Sequence, residues 1–477
     1  MRRVLRIALI VMAFVVGIAA IGGGLFFAFL HHFYFNPPKP GFAKPASQRE
    51  AQRQDVAYFR TLMEFDRSFS PTARAEAEAR VDRLAQAPSV LPQQQMHVAL
   101  MQIMALADNG HTKMRPMVPS EENAMEPVRV SRFEEGFFVM RAKSQYRDML
   151  GGRVESIDGV PFDEVLKKLE TLRGGLEPFR AENAAVFIEF PDILYGIGIA
   201  REPDRSIWIV RMADGSAVTR VLVAYREKAG ASLIYGERWR SPEPMKTMGA
   251  DWASYAPATG TLPQSERDFD NHFLFAPVKA SCADYVRVQD IVDTDGQKIQ
   301  PFLQTTEAAL RAHPPCAVIF DLRGNGGGDY TNMWHFAHAL PGLVAPGGHV
   351  YVLTDAGTFS AAITTTAFVK QAGGGKVVII GEPVGDRMAF YAEGGNGTLP
   401  NSKFSLSYET GKHDYSRGCY DAYNCFWLNW LYPVRVKSLT PDITIPLRFS
   451  DWNAGRDVAF ERAVTLAGGG SKSARAP

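Results

Sequence analysis

From Ile7 to Leu30 the chain runs twenty-four residues without a charge, and Arg2, Arg3 and Arg6 precede that run. As a helix rising about 1.5 Å per residue, it is long enough to cross a hydrocarbon core roughly 30 Å thick. The arginines come first, so the positive-inside rule predicts that everything after Leu30 lies across the membrane, outside the cytoplasm. A cleaved signal peptide, cut near Ala19 and Ala20 ahead of the Gly22 to Gly24 interruption, is the competing reading. Residues 1–31 are therefore an anchor or signal segment. Residues 32–48, aromatic and then rich in proline, predict an interfacial belt followed by a stiff, extended tether.

From residue 49 to 120 apolar positions recur at three and four residues, broken by Pro71, Pro88 and Pro92, which predicts a small helical unit. Residues 121–235 read as β structure with one amphipathic helix from Phe162 to Leu172. Between 250 and 466 strand and helix patterns alternate: Asp284 to Val292, Pro301 to His313, Ala317 to Phe320, Val350 to Thr354, Ala361 to Lys370, then Phe404 to Tyr408. That order predicts an α/β fold, a mixed sheet flanked by helices, in a chain of several units. Residues 467–477 (from AGGGSKSARAP) read as a disordered tail.

With 477 residues, 46% of them hydrophobic, the chain can bury a large core. Lys plus Arg (52) balances Asp plus Glu (51), so no overall field points to nucleic acid. Cys282, Cys316, Cys419 and Cys425 form an even set, which outside the cytoplasm permits two disulfides, Cys419 with Cys425 first; free buried thiols are the alternative. No C-x-x-C spacing occurs. His335 and His338, three apart on one helix, read as a partly buried stripe rather than a metal site, so neither metal nor organic cofactor is expected.

Chemistry concentrates between Ala317 and Ala362. A short strand opens onto Gly324, Gly326, Gly327 and Gly328, where backbone N–H groups can crowd round an anion. A second strand ends in Asp355-Ala-Gly-Thr-Phe, and Ser360 follows where the helical pattern begins. Its hydroxyl would face a helix N-terminus, whose free N–H groups and dipole stabilise an oxyanion, although serine is also an ordinary N-cap. His111 lies in the turn after the helical unit; imidazole is the side chain suited to take a serine's proton near neutrality, although a histidine in a turn is usually a solvated residue or a cap.

Three segments in order, Asp321-Leu-Arg-Gly-Asn-Gly-Gly-Gly, Thr358-Phe-Ser-Ala-Ala and Gly381-Glu-Pro-Val-Gly, resemble the core of the tail-specific (C-terminal processing) serine peptidase family, over about residues 45 to 465. The resemblance implies a crotonase-like, ClpP-like peptidase core. It implies Ser360 as nucleophile, with the N–H of Ala361 and that of Gly327 or Gly326 as the oxyanion hole. Asp108-Asn-Gly-His-Thr is similar to the base motif of the Ser–His branch, akin to the tricorn core and the chlamydial secreted protease, which implies His111 as base. In the Ser–Lys branch a lysine follows the glycine matching Gly385. Here Asp386 stands there, and Arg387 cannot be deprotonated; Lys370 and Lys376 are distant alternatives. Arg435 occupies the place of the glutamate expected before Pro441-Asp-Ile, so the carboxylate that orients His111 is sought elsewhere: Asp414 first, then Glu409 and Asp421. Leu150-Gly-Gly-Arg-Val-Glu-Ser-Ile-Asp-Gly-Val-Pro resembles half of a PDZ-like module, which would make residues 121–235 a PDZ-like subdomain. The implied protein is a serine endopeptidase anchored in the inner membrane with a periplasmic body and protein or peptide substrates. A non-catalytic ligand- or peptide-binding protein on the same scaffold is the alternative, and oligomeric state is left open.

Overall fold

The computed structural model describes residues 2–34, 37–118, 122–228, 239–245, 248–294 and 296–473. Helix α1 (Arg2–Phe33) is continuous through its glycines. Its span Met12–Phe33 has a mean hydropathy of 2.3 and is exposed along most of its length, only its last turn closing onto the body at the buried Phe33.

The proline-rich stretch that follows does not stand free as a tether. Proline carbonyls have few N–H groups of their own segment to pair with. Side chains of α2 (Gln48–Glu64) take up one proline carbonyl and one alanine carbonyl of this stretch: Tyr58 Oη donates to Pro38 O and Gln54 Nε2 to Ala43 O, both at 3.0 Å. Ser47 caps α2 and Ser70 caps α3 (Pro71–Ala85), each accepting a first-turn N–H, and α4 (Gln93–Ala105) begins after Pro92. The turn carrying His111 leads from α4 into the short strand β1 (Lys113–Met114).

The second unit is an antiparallel sheet of β2 (Val128–Phe133), β3 (Gly136–Lys143), β4 (Arg153–Ile157), β5 (Arg205–Arg211), β6 (Ala217–Val223) and β7 (Trp252–Ser254). The strands run β7–β3–β4–β5–β6, with β2 also on β3. Helix α5 (Phe162–Leu169) buries Phe162, Val165 and Leu169, as its 3.6-residue period demands. Helix α6 (Glu177–Phe187) leads toward the third unit.

That unit is built on a six-stranded sheet. In it β8 (Phe273–Pro277) is antiparallel to β9 (Ala283–Val288), and β9, β10 (Ala317–Asp321), β11 (His349–Thr354), β12 (Val377–Gly381) and β17 (Ile443–Thr444) run parallel. Between them in sequence lie α7 (Ile299–Ala312), α8 (Trp334–Ala339) and α9 (Ala361–Gly373). Alternation sorts the strand residues. Val318, Phe320, Val350, Val352 and Ile379 pack with these helices, while Ala317, Ile319, Tyr351, Leu353 and Ile380 pack against Ala459, Ala463 and Ala467 of α10 (Val458–Ser473). Both faces are covered, which is why β10 is apolar from Ala317 to Phe320. Since α10 continues to Ser473, the disordered tail expected from residue 467 is helical as far as that; residues 474–477 lie outside the described residues.

Between β12 and β17 come β13 (Ala389–Ala392), β14 (Gly395–Thr398), β15 (Ser405–Tyr408) and β16 (Gly411–Asp414). β13 pairs with β16, while β15 pairs with both β14 and β1. Leu399, Phe404, Leu406 and Tyr408 thereby join the cluster of Phe59, Leu62, Leu100 and Met104, so the helical unit is completed by residues far along the chain. Disulfides Cys282–Cys316 and Cys419–Cys425, with Cα atoms 5.4 and 5.5 Å apart, account for all four cysteines.

Candidate active site

Ser360 stands at the junction of β11 and α9 with φ +55° and ψ −122°, and its side chain makes no capping bond. Gly374, at the far end of the same helix, has nearly the same conformation (φ +52°, ψ −120°) without a side chain. Holding a serine there costs about 1–3 kcal/mol, so the surroundings must impose it. They do so through Asp355, whose Oδ1 accepts the N–H groups of Gly324, Gly357 and Thr358 at 2.9, 3.0 and 3.0 Å. Thr358 Oγ1 donates to Leu322 O at 2.9 Å, and Phe359 N to Asn325 O at 2.9 Å. Burial pushes the Asp355 carboxyl up, and the neighbouring Arg240 opposes this.

The glycine run lies directly against this turn. A Cβ on Gly327 (φ +109°) would come within 2.6 Å of Ser360 Cβ and 2.9 Å of Ala361 N, so no side chain fits. The N–H of Gly327, however, is donated to Asn325 Oδ1 at 2.9 Å, and Asn325 Nδ2 holds Val288 O at 2.8 Å. Gly327 is thus a contact surface in this arrangement and not the open oxyanion donor expected from the sequence. The amides of Gly326 and of Ala361, the first residue of α9, donate to no acceptor among the described residues.

His111 is brought to the same place by a turn docked on the segment after Gly385. Gly110 N donates to Asp386 Oδ2 at 2.8 Å, and Arg387 donates to Asp108 O at 3.0 Å and to Asp108 Oδ2 at 2.6 Å. Asn109 pairs with the Tyr391 backbone in both directions at 3.0 Å, like one more strand residue of β13. Thr112 Oγ1 donates to the buried Asp66 at 2.7 Å. Asp386, where a lysine would stand in the Ser–Lys branch, therefore clamps the histidine turn; burial raises its carboxyl, and the Arg387 and Gly110 N–H groups oppose that.

The His111 ring is sandwiched between Phe359, at 4.3 Å between centroids, and Phe390, at 5.3 Å. The stack continues to Phe179 beyond Phe359 at 4.4 Å and to His413 beyond Phe390 at 5.2 Å. Both His111 nitrogens are buried without a hydrogen-bond partner. Burial first, then the charges of Lys113, His413 and Arg173, hold His111 well below its ordinary value, so the ring is neutral near pH 7. Lys113 itself is brought down to about 7 by the Arg173 charge and by burial.

Since neither nitrogen is bonded, the Ser360–His111 bond is not made here, and no carboxylate among the described residues orients the ring. Asp414 is the principal correction: its Oδ1 closes its own turn, accepting Ser416 N, Ser416 Oγ and Arg417 N at 3.1, 2.7 and 3.1 Å. On β16 it is His413, the preceding residue, that enters the ring stack, and strand alternation turns Asp414 the other way. Asp421 likewise closes a turn onto Tyr423 and Asn424. Glu409 Oε2 accepts Gly394 N at 3.1 Å, and its carboxyl is driven up by burial and by Asp66. Lys370 Nζ is engaged by Val377 O and Asp442, about 15 Å along α9 from Ser360. His335 pairs with Glu307, while His338 Nδ1 meets Trp334 O.

Sequence reading gave no role to Asn325, which lies inside a quoted motif, and saw in Asp386, one residue past another, only the lack of a lysine. It also missed Phe359, Phe390, His413 and Glu393, for which no local signal exists. Glu393 has φ +62°, lies 3.8 Å from His413 Nε2, and is raised by burial to about 7.

No protein-family model and no curated protein matches the sequence. Among solved structures, mature CPAF complexed with lactacystin aligns at a TM-score of 0.56 and 12% identity, over 88% of this chain and 98% of that chain. Mature CPAF aligns at 0.54 and 11% identity, over 88% and 96%. At that identity the likeness is one of fold.

Proposed function

We propose that this chain, which has the fold of the tail-specific serine peptidases, is itself a serine-type peptidase working by acyl transfer. The observation that carries the reading is Ser360: a strained, uncapped serine at a helix N-terminus, packed on Gly327 and next in sequence to the ring that stacks on a neutral, unbonded His111. Ser360 Oγ attacks the peptide carbonyl, His111 takes its proton and returns it to the leaving amine, and the amides of Ala361 and Gly326 receive the oxyanion. Catalytic hydrogen bonds often tighten only with substrate bound. Here the His111 ring has two vacant nitrogens with which to bond Ser360 once a peptide enters. Asp386 positions the His111 turn.

We further place α1 as the anchor in a membrane and the body outside the cytoplasm. The support is the exposed apolar span of Met12–Phe33 and two disulfides, which persist in oxidising compartments. Cleavage within chains, as an endopeptidase, and peptide capture by the antiparallel sheet of the second unit, as in a PDZ-like module, belong to the same proposal. The absent orienting carboxylate favours the second reading, a non-catalytic peptide-binding protein on this scaffold.

Labelling the detergent-solubilised full chain with a fluorophosphonate separates the two. Such probes trap serines activated by a base and an anion hole. Labelling that disappears in Ser360→Ala and falls by about 10²–10⁴-fold in His111→Ala supports catalysis. A wild-type chain that is folded and unlabelled supports the binding protein.

A further inference from the structure

The end of α1 is joined to the body by an aromatic contact. Phe33 is fully buried, edge-on to Phe426 at 5.6 Å, and its carbonyl accepts Thr410 Oγ1 at 2.7 Å. Phe29 stacks on Trp430 at 6.0 Å and meets Trp427 at 6.4 Å, and the His32 ring lies 4.6 Å from that of Tyr423. Arg67 ties the joint together, donating to the carbonyls of His32, Thr410 and Tyr423 at 2.9, 3.3 and 3.2 Å. The C-terminal end of α1 is therefore tied to the body by ring contacts and hydrogen bonds.

Around this joint the stretch from Tyr420 to Leu431, its first part closed by the Cys419–Cys425 disulfide, buries Phe426 and turns four large side chains outward. Tyr420 is 79% exposed, Tyr423 64%, Trp430 47% and Leu431 60%. Soluble surfaces seldom gather such residues without a partner, and Tyr and Trp, apolar in the body and polar at the tip, are the side chains that settle at headgroup level. Along α1 the exposed apolar surface continues through Leu25, Phe26 and Phe27 to Phe29, which meets this segment, so one apolar surface passes from helix to body. The segment is also bonded to the wall of the candidate site. Lys412 N donates to Asn424 O at 2.7 Å, Phe426 N to Lys412 O at 2.9 Å, and Asn429 Oδ1 faces Nδ1 of His413, the last ring of the His111 stack, at 3.1 Å.

We infer that Tyr420, Tyr423, Trp430 and Leu431 form a second membrane contact, seated in the headgroup layer of the bilayer that α1 crosses, so that the β13/β16 wall of the candidate site is held close to the lipid surface. This rests on the reading of α1 as an anchor.

The full chain is reconstituted into phosphatidylcholine vesicles, floated, and its tryptophan emission measured with headgroup-proximal dibrominated lipid or with aqueous acrylamide. The signal lost in Trp430→Phe isolates that side chain. If that variant does not fold, Tyr420→Trp supplies the signal by addition. The expected result is flotation, with loss of Trp430 emission to brominated lipid and protection from acrylamide. Chains that do not float overturn the anchor and, with it, the contact. Flotation with Trp430 quenched by acrylamide and not by lipid leaves the anchor standing and overturns the contact. Shielding from both quenchers also overturns it, in favour of a second copy or another protein covering the segment.

Discussion

Replacing Gly327 by alanine tests whether the glycine run matters because it lies against the nucleophile. The new Cβ would stand 2.6 Å from Ser360 Cβ and 2.9 Å from Ala361 N. Carbon atoms rest at about 3.5–4.0 Å, so the turn must retreat by about 1 Å. Because backbone and not a flexible side-chain end blocks the way, Ser360 and the Ala361 amide move with it. A 1 Å misplacement at the reacting centre costs on the order of 100-fold, equivalent to about 2.7 kcal/mol of barrier. Alanine at φ +109° also strains the backbone, which lowers stability without touching chemistry. Gly374→Ala controls for this: φ there is +52° and nothing lies within 4 Å of the added Cβ, so strain of about 1–3 kcal/mol is its whole effect. The assay is the second-order rate of fluorophosphonate labelling, beside a thermal unfolding midpoint. Both variants should unfold at lower temperature, and only Gly327→Ala should lose labelling by about two orders of magnitude. Labelling of Gly327→Ala at the rate of Gly374→Ala would refute the reasoning.

Asp386→Ala removes the acceptor of Gly110 N and should lower labelling at saturating probe while costing about 1–3 kcal/mol of stability; unchanged labelling would free His111 from that clamp. Asp414→Asn should leave labelling within about twofold of wild type, since its oxygen serves only its own turn and surface turns lie outside the chemistry; a large fall would restore it as the orienting group. His97, stacked on Phe404 at 4.0 Å, is lowered by burial from 6.5 to about 4, so its stabilising neutrality is present above pH 6.5 and lost as pH falls toward 4. His97→Phe should therefore flatten the pH dependence of the urea midpoint in that window, by up to about 1.4 kcal/mol per pH unit; an unaltered slope would contradict the burial argument.

Local pattern alone determined a good deal of this protein. The uncharged run before Leu30 is a helix, the strand and helix alternation from Asp284 onward is a covered sheet, and the change of period at Ser360 is the strand-to-helix turn. Those features depend on neighbours two to four residues apart, and sequence displays such neighbours directly. The partners across the fold were decided elsewhere. Asp414 and His413 are adjacent, and which of them enters the site depends on the phase in which β16 pairs with β13. The Gly327 amide looked open until Asn325 folded back onto it, and Asp386 looked like a missing lysine until the turn of His111 came to rest on it. β15 completes the helical unit because Leu406 and Tyr408 find their apolar partners in α2 and α4. Burial, the unbonded state of His111 and its neutrality all follow from such encounters, since desolvation is set by what packs around a group and not by the residues on either side of it.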